Sequence, residues 1–354
     1  MKKVFLETHN IKNQFSGFGQ FNLHLLEGLF KCNDPEIQFV VHDYKMNDLK
    51  KRFGRFFKYR HYFGMTRYSL TSIRTKYDIW HSVNQNTRVE PFYDLPYLLT
   101  VHDVNFIDEI SNDLNHPRNL LFKEKLKRAN AITYISQYAM DSTHKYFEVP
   151  KIPEYIIYNG NPSSVLIDLN TYQPQFNCTS NYLFTIGDFL ERKNFHILVQ
   201  MMPYLKNYKL IIAGNNNRQY ADKVRETITA LNLEGYVTLI GRISEEEKQY
   251  HLKNCTAFVF PSLREGFGLP PIEAMRFGKP VFLANTTSLP EIGGEWAFYW
   301  DTFDPQEMAK TFQDGMLIFE KNKKKYQEEL IKRGLSFNWE KTAQQYINVY
   351  KSLL

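Results

Sequence analysis

Pro261-Ser262-Leu263-Arg264-Glu265-Gly266-Phe267-Gly268-Leu269-Pro270-Pro271-Ile272-Glu273-Ala274-Met275 decides the fold of this chain. The Ala257-Phe258-Val259-Phe260 run before it is short, apolar and rich in aromatic and β-branched residues, which predicts a buried parallel strand. Pro270 and Pro271 suit the first positions of a helix, where a missing N–H costs nothing, and Gly278 suits its end. Val281-Phe282-Leu283-Ala284 then predicts the next strand. The turn Gly266-Phe267-Gly268-Leu269 therefore lies at the carboxyl end of a strand and at a helix start, where backbone amides suit a phosphate anion. Glu265 precedes this turn and Glu273 lies inside the first turns of the helix. Two carboxylates so spaced can hold two parts of one extended ligand, such as a sugar and a ribose.

Outward from this unit, strand-like and helix-like segments alternate in both directions, the pattern of α/β layers with parallel sheets. Upstream, strands are predicted at Val4–Glu7, Gln38–His42, Ile79–Ser82, Tyr97–Val101, Ala131–Ile135 and Ile156–Tyr158, with helices at Gly19–Leu29 and Lys123–Ala129. The alternation breaks into polar and turn residues between Pro162 and Ser180. It resumes with strands at Tyr182–Ile186, Lys209–Ala213 and Val237–Ile240 and helices at Phe195–Leu205 and Tyr220–Leu231. Ser244 and Glu247 predict a capping box for the helix that follows. Helices at Gln306–Ile318 and Trp339–Leu354 complete the chain. The expected division is a first domain over 1–170, a second over 171–335, and a terminal helix over 336–354 that crosses back to the first.

A length of 354 residues favours two domains, and 43% hydrophobic content supports two cores. No run of about 18 apolar residues suggests a membrane-spanning helix. Val4-Phe5-Leu6 is too short for a secretory signal, and Cys32, Cys178 and Cys255 form no disulfide or metal-ligand pattern. These features predict a cytoplasmic protein. The net charge of +6 is concentrated: no acidic residue occurs between Lys50 and Lys76, where nine Lys and Arg alternate with aromatic residues. Such a stretch reads as a solvated helix with an aromatic inner side, as a contact for an anionic membrane or lipid-phosphate acceptor, or, less favoured, as a nucleic-acid contact.

Four further motifs close predicted strands. Ser16-Gly17-Phe18-Gly19 lies between the first strand and its helix, where Gly17 and Gly19 permit a tight turn and close approach to a phosphate. Arg192 and Lys193, after the strand ending at Ile186, can neutralise a diphosphate. His102 and Asp103 follow the strand ending at Val101, and Gly241-Arg242-Ile243 follows another. No D-x-D triplet of the kind that holds a metal on a diphosphate occurs, and no metal site or bound cofactor is expected.

The same residues carry a family resemblance. Glu265 and Glu273, with seven residues between them, resemble the EX7E signature of retaining glycosyltransferases with the GT-B fold. The whole string from Pro261 to Val281 is similar to glycosyltransferase family 4, and mannosyltransferase-like members in particular. Ile186–Asn194 resembles the family's diphosphate-binding motif, from which Asp188 departs; Thr100–Asp103 resembles its "TIHD" element; Phe337–Lys341 resembles its "FSWEK" ending.

The resemblance implies an α/β GT-B architecture, two Rossmann-like domains facing an interdomain cleft. It implies a hexosyltransferase that works without a metal and takes its hexose from a nucleotide-diphosphate sugar, GDP-mannose ahead of a UDP-hexose. The acceptor it implies is a surface glycan, free or lipid-linked, as in lipopolysaccharide or capsule synthesis at the inner face of a membrane. By the same resemblance Glu265 and His102 act on the transferred sugar, and Glu273 holds the ribose. Gly17, Gly19, Arg192, Lys193 and the Gly266–Leu269 turn meet the diphosphate, and the backbone at Ile243 meets the base. A sugar-nucleotide epimerase, or an inactive scaffold binding membrane or nucleic acid through Lys50–Lys76, are the alternatives. A glycoside hydrolase fits poorly, because its two carboxylates must flank the scissile bond.

Overall fold

A computed structural model describes residues 1–44 and 46–354, with Ser69 described by its backbone alone. The chain divides into two units, Met1–Gly160 with Asn338–Leu354, and Asn161–Phe337. The first unit contains, in chain order, β1 (Lys2–Leu6), α1 (Gly17–Cys32), β2 (Ile37–Asp43), α2 (Met46–Phe53), β3 (Lys58–His61), β4 (Ile79–Ser82) and β5 (Tyr97–Val101). It continues with α3 (Phe106–Glu109), α4 (Pro117–Arg128), β6 (Ala131–Tyr134), α5 (Gln137–Tyr146) and β7 (Glu154–Ile156). The second unit contains β8 (Tyr182–Ile186), α6 (Phe195–Met201), β9 (Lys209–Ala213), α7 (Tyr220–Ala230), β10 (Val237–Gly241), α8 (Glu245–Asn254) and β11 (Ala257–Phe260). Then come α9 (Leu269–Met275), β12 (Val281–Ala284), α10 (Leu289–Gly293), β13 (Phe298–Trp300), α11 (Pro305–Lys321) and α12 (Lys323–Ser336). The terminal α13 (Trp339–Leu353) belongs to the first unit and packs along α1.

Among the described residues the strands form two sheets, ordered β3-β2-β1-β4-β5-β6-β7 and β10-β9-β8-β11-β12-β13. Every ladder between named strands is parallel. The central strands β5 (YLLTV), β11 (AFVF) and β12 (VFLA) are buried along their whole length, as continuous apolar runs in a two-sided parallel sheet should be. In both sheets the strand order reverses beside the first strand, between β1 and β4 and between β8 and β11. Open α/β sheets bind ligands beyond the carboxyl ends of the strands at such a reversal. The Ser16–Gly19 loop follows β1, and the Arg192-Lys193 and Glu265 loops follow β8 and β11, the strands at these reversals; His102 closes the neighbouring β5, and Gly241–Ile243 closes the edge strand β10.

Four differences from the sequence reading have clear causes. The linker residues 161–170, expected in the first domain, pack on the second. Ser163 Oγ donates to Glu245 and Glu273, and Gln249 accepts from the Ile167 amide at 2.9 Å. The Ser244 cap forms, its Oγ accepting from the Glu247 amide at 3.2 Å, but the Glu247 side chain does not close a box. It instead accepts from the Gln175 and Phe176 amides at 2.9 and 3.1 Å and ties down the linker.

Residues 50–76 are not one amphipathic helix. They comprise the end of α2, the edge strand β3 and short 3₁₀ turns, with Phe53, Phe57 and Tyr62 buried and Phe63, Met65 and Tyr68 exposed. Cations on an edge strand such as Lys58 and Arg60 also guard it against pairing with another chain. Finally, α12, absent from the sequence reading, begins in the charged run Lys323-Lys324-Lys325, which carries little apolar periodicity; Leu330 and Gly334 are its buried positions.

Candidate active site

In the second unit, the switch point is bridged by the loops after β8 and β11. The Leu263 amide donates to the Arg192 carbonyl at 2.7 Å, which holds the loops together. Arg192 and Lys193 form a 3₁₀ turn closed by Asn194, which takes the left-handed conformation (φ 56°). That turn aims both cations at Glu265. Lys193 Nζ donates to Glu265 Oε1 at 2.5 Å, Arg192 Nη1 at 3.2 Å and Ser262 Oγ at 2.6 Å. All three meet Oε1, and none of these contacts uses Oε2.

Glu265 is only 9% exposed. Burial pushes its carboxyl up, but Lys193 and Arg192 overcome this and hold it below the usual carboxylate range. Burial likewise lowers Lys193, against the pull of Glu265, while its ammonium lies 4.7 Å from the Phe260 ring centroid. The result is a dry cluster with two cations and one carboxylate, and so a positive excess.

The turn that follows is fixed from below by the loop after β12. The Glu265 amide donates to Thr287 Oγ1 at 3.1 Å, and Ser288 Oγ lies 2.9 and 2.7 Å from the Glu265 and Phe267 carbonyls. Phe267 is buried edge-on against Phe337. Gly268 caps α9 at φ +118°, a conformation that L side chains avoid, and this explains the second glycine of the turn. Because Pro270 and Pro271 have no N–H, the turn residues Gly266–Leu269 carry the amide donors of this helix end.

Glu273 lies one turn into α9, 4% exposed. Lys248 of α8 pairs with its Oε1, and Ser163 Oγ donates to the same oxygen at 3.0 Å. Neither contact uses Oε2. Asp188, the departure from the family motif, is paired with Arg218 at 3.8 Å, so its charge has a counter-ion of its own. Ile243 helps line a cavity of about 280 Å³ whose walls include Phe176 and Leu239.

In the first unit, His102 is 5% exposed and wedged edge-on between Phe18 and Phe21 of α1, with centroids at 4.8 and 4.6 Å. Its Nε2 donates to the Val83 carbonyl at 2.9 Å, so Nδ1 carries the lone pair. Burial lowers its pKa to about 4, and at neutral pH it is an uncharged hydrogen-bond acceptor. The role of the glycines before it needs correction. A Cβ on Gly19 would stand 1.9 Å from the Asn13 carbonyl oxygen, so the chain's own loop, not an approaching phosphate, demands glycine there. A Cβ on Gly17 would meet nothing within 4 Å.

Sequence reasoning missed Lys248, Ser163, Ser262 and the Thr287-Ser288 prop. Thr287 and Ser288 follow the carboxyl end of a predicted strand, a position that could have flagged them. Lys248 carried no such signal.

Residues 169–336 match the profile described as "Glycosyl transferases group 1". The matched segment is a group 1 glycosyl transferase domain, and the chain is a glycosyltransferase. It is 25% identical to the O-antigen chain mannosyltransferase B of Escherichia coli, over 99% of this chain and all of the relative. It is 27% identical to the O-antigen chain mannosyltransferase RfbU of Salmonella typhimurium, over 61% of this chain and 60% of the relative. Among solved structures, sucrose-phosphate synthase from Thermosynechococcus elongatus superposes with a TM-score of 0.76 at 18% identity, covering 100% of this chain and 99% of that one. Anabaena HepE, solved with UDP and glucose, superposes with a TM-score of 0.74 at 16% identity, covering 99% and 100%. The glycosyltransferase thus has the α/β GT-B fold expected from its sequence. Among its described residues no group of three or more His, Cys, Asp or Glu is placed to hold a metal, and no helix is long and apolar enough to cross a membrane.

Proposed function

We propose that this glycosyltransferase moves mannose from GDP-mannose to a growing surface glycan of the O-antigen type, with retention of configuration. The observation that carries the reading is the Arg192–Lys193–Glu265 cluster at the β8/β11 switch point. Its positive excess suits a diphosphate, where charge grows as the glycosidic bond breaks. Glu265 Oε2 is available to sugar hydroxyls, and Glu273 Oε2 to the ribose. The amides of Gly266–Leu269 suit the phosphates, and Ile243 suits the base. His102 Nδ1 is suited to accept from a hydroxyl of the sugar. Mannose is favoured by the names of the two relatives, and membership of family 4 by the EX7E string.

The test is thermal stabilisation by GDP, UDP, ADP and CDP, followed by transfer from the matching sugar nucleotide. Selective response to GDP and an α-linked mannosyl product support the reading. Response to UDP alone moves the donor to a UDP-hexose, the class seen in HepE. Release of an isomerised sugar nucleotide without acceptor indicates an epimerase, and no response to any nucleotide indicates an inactive scaffold.

A lipid-linked acceptor would bring the enzyme to an anionic membrane surface, and the exposed cations Lys51, Arg55 and Lys58, with exposed Phe63 and Met65 later in the same segment, suit such contact. Each surface cation contributes about 1 kcal/mol on an anionic bilayer, so the triple Ala variant should bind phosphatidylserine vesicles roughly 100-fold more weakly. Unchanged flotation with such vesicles, or none by the wild type, removes the membrane contact.

A further inference from the structure

Arg118 stands apart from the other cations of the first unit. It is the second residue of α4, whose entry is well fixed. His116 Nδ1 accepts from the Arg118 amide at 3.3 Å, and Asn119 Nδ2 donates to the Ser111 and Asp113 carbonyls at 2.9 and 2.7 Å. The Arg118 guanidinium lies over the Phe106 ring, 4.3 Å from its centroid. The residue is half-buried, yet among the described residues its guanidinium makes no hydrogen bond or ion pair. Half-buried Arg60, Arg276 and Arg333, by contrast, each donate to a protein oxygen. Stacking on a ring occupies the face of a guanidinium and leaves its in-plane N–H groups free for an oxyanion.

A second arginine lies within reach of its charge. Arg88 follows β4 in a loop that Gln85 clamps to the loop after β5. Gln85 Nε2 donates to the Asp103 carbonyl at 2.7 Å, and Gln85 Oε1 accepts from the His102 amide at 3.1 Å. Burial lowers the Arg118 pKa; the Asp103 carboxylate opposes this, and the charge of Arg88 adds to it. Both arginines stay charged, because a guanidinium does not lose its proton in a protein. Exposed Arg88 likewise has no hydrogen-bond or ion-pair partner for its guanidinium among the described residues. Two cations thus share one carboxylate, whose Oδ1 also accepts from the Asn105 amide at 3.1 Å, and a positive excess is left.

The segment that carries Arg118 also exposes the apolar side chains of Ile110, Leu114 and Leu120. Asn119 ties the loop bearing Leu114 to the start of α4, so these side chains flank the cation. A ligand that is anionic at one end and apolar beside it matches both features. A carboxylate is satisfied by one guanidinium fork, whereas a phosphoryl group has outer oxygens enough for two.

We propose that Arg88 and Arg118 clasp the phosphoryl end of a lipid-borne acceptor, a diphosphate ester on an apolar chain, in a site that belongs wholly to the first unit. Its role as an acceptor site rests on the reading under Proposed function and deepens it; the anion site itself does not depend on that reading.

The experiment titrates citronellyl diphosphate into the full chain by calorimetry, with the responding nucleotide at saturation so that the cations of the second unit are already occupied. One equivalent should bind. Arg88→Gln, at an exposed position that does not threaten folding, and Arg118→Gln should each weaken it about 10- to 100-fold, the span of one charge-assisted contact. Melting temperature and nucleotide stabilisation should change little. Arg118→Lys, which keeps the charge and loses the fork, should recover only part of the affinity. Inorganic pyrophosphate should compete but bind at least about 10-fold more weakly, and the double variant Leu114→Ser, Leu120→Ser should narrow that gap. No binding by the wild type, or equal affinity in the wild type and both glutamine variants, overturns the proposal. Pyrophosphate binding as tight as that of the lipid diphosphate overturns the lipid-borne source. If the wild type responds to no nucleotide yet binds citronellyl diphosphate through Arg88 and Arg118, the donor reading has failed and the anion site stands.

Discussion

Lys193→Ala is expected to lower transfer by about 10²- to 10³-fold, the loss typical of removing one preorganised group that stabilises developing charge. The substitution also removes the nearest counter-ion of a buried carboxylate. Breaking such a pair from one side costs roughly 3–5 kcal/mol, because the remaining charge stays in a dry site. Arg192 at 3.2 Å and Ser262 at 2.6 Å still support Glu265, so the stability loss should fall toward the lower end. Lys193→Met with Glu265→Gln removes both charges and should recover most of the stability without recovering transfer. Urea unfolding and initial transfer rates on the three proteins separate the two effects. The acid limb offers a further check. The Glu265 carboxyl is held below its unfolded value of about 4.5. Its stabilising contribution is complete above that pH and is lost as pH falls through the lower, folded value. Lys193→Ala should flatten this part of the stability profile. If Lys193→Ala transfers at the wild-type rate, the cluster is a structural ion pair and the diphosphate binds elsewhere.

The strands and the two glutamates were legible because they obey local rules. Tyr97–Val101, Tyr182–Ile186, Lys209–Ala213 and Val281–Ala284 are mostly apolar runs bounded by polar or turn residues, and for these and Ile79–Ser82 the predicted and observed limits coincide. The contacts that give the site its electrostatics were not legible, because they join residues distant in sequence. By sequence, Arg192 and Lys193 face a diphosphate directly. The fold sets them on Glu265 first, across 73 and 72 residues, and any ligand must share them. Glycine at 19 shows the same limit from the other side. Its sequence context suggested space for a ligand, whereas the space is taken by the Asn13 carbonyl, a close approach within one loop that no periodicity reveals.

Glu273→Ala should abolish most nucleotide stabilisation while leaving the unliganded protein close to wild-type stability. Lys248 and Ser163 both engage Oε1, so in the free enzyme Glu273 acts as a prop between α8, α9 and the linker. Lys248 keeps a second partner, Glu245, at 2.7 Å, and its removal from Glu273 therefore does not strand a buried cation. Burial would lower the Lys248 ammonium, but Glu273 and Glu245 together raise it in the wild-type protein. What the variant does lose is Oε2, the carboxylate oxygen that neither Lys248 nor Ser163 engages. Two ribose hydroxyls donating to a carboxylate contribute roughly 3 kcal/mol together, about a 100-fold change in dissociation constant. At a nucleotide concentration about 100 times the wild-type constant, stabilisation should fall from roughly 2.7 to about 0.4 kcal/mol. The 2′,3′-dideoxy nucleotide should reproduce that deficit in the wild type and add little to it in Glu273→Ala. Equal stabilisation of both proteins by the ribonucleotide would mean that Glu273 serves only to hold Lys248 and Ser163. The ribose would then be bound by other groups, although the EX7E spacing itself is intact.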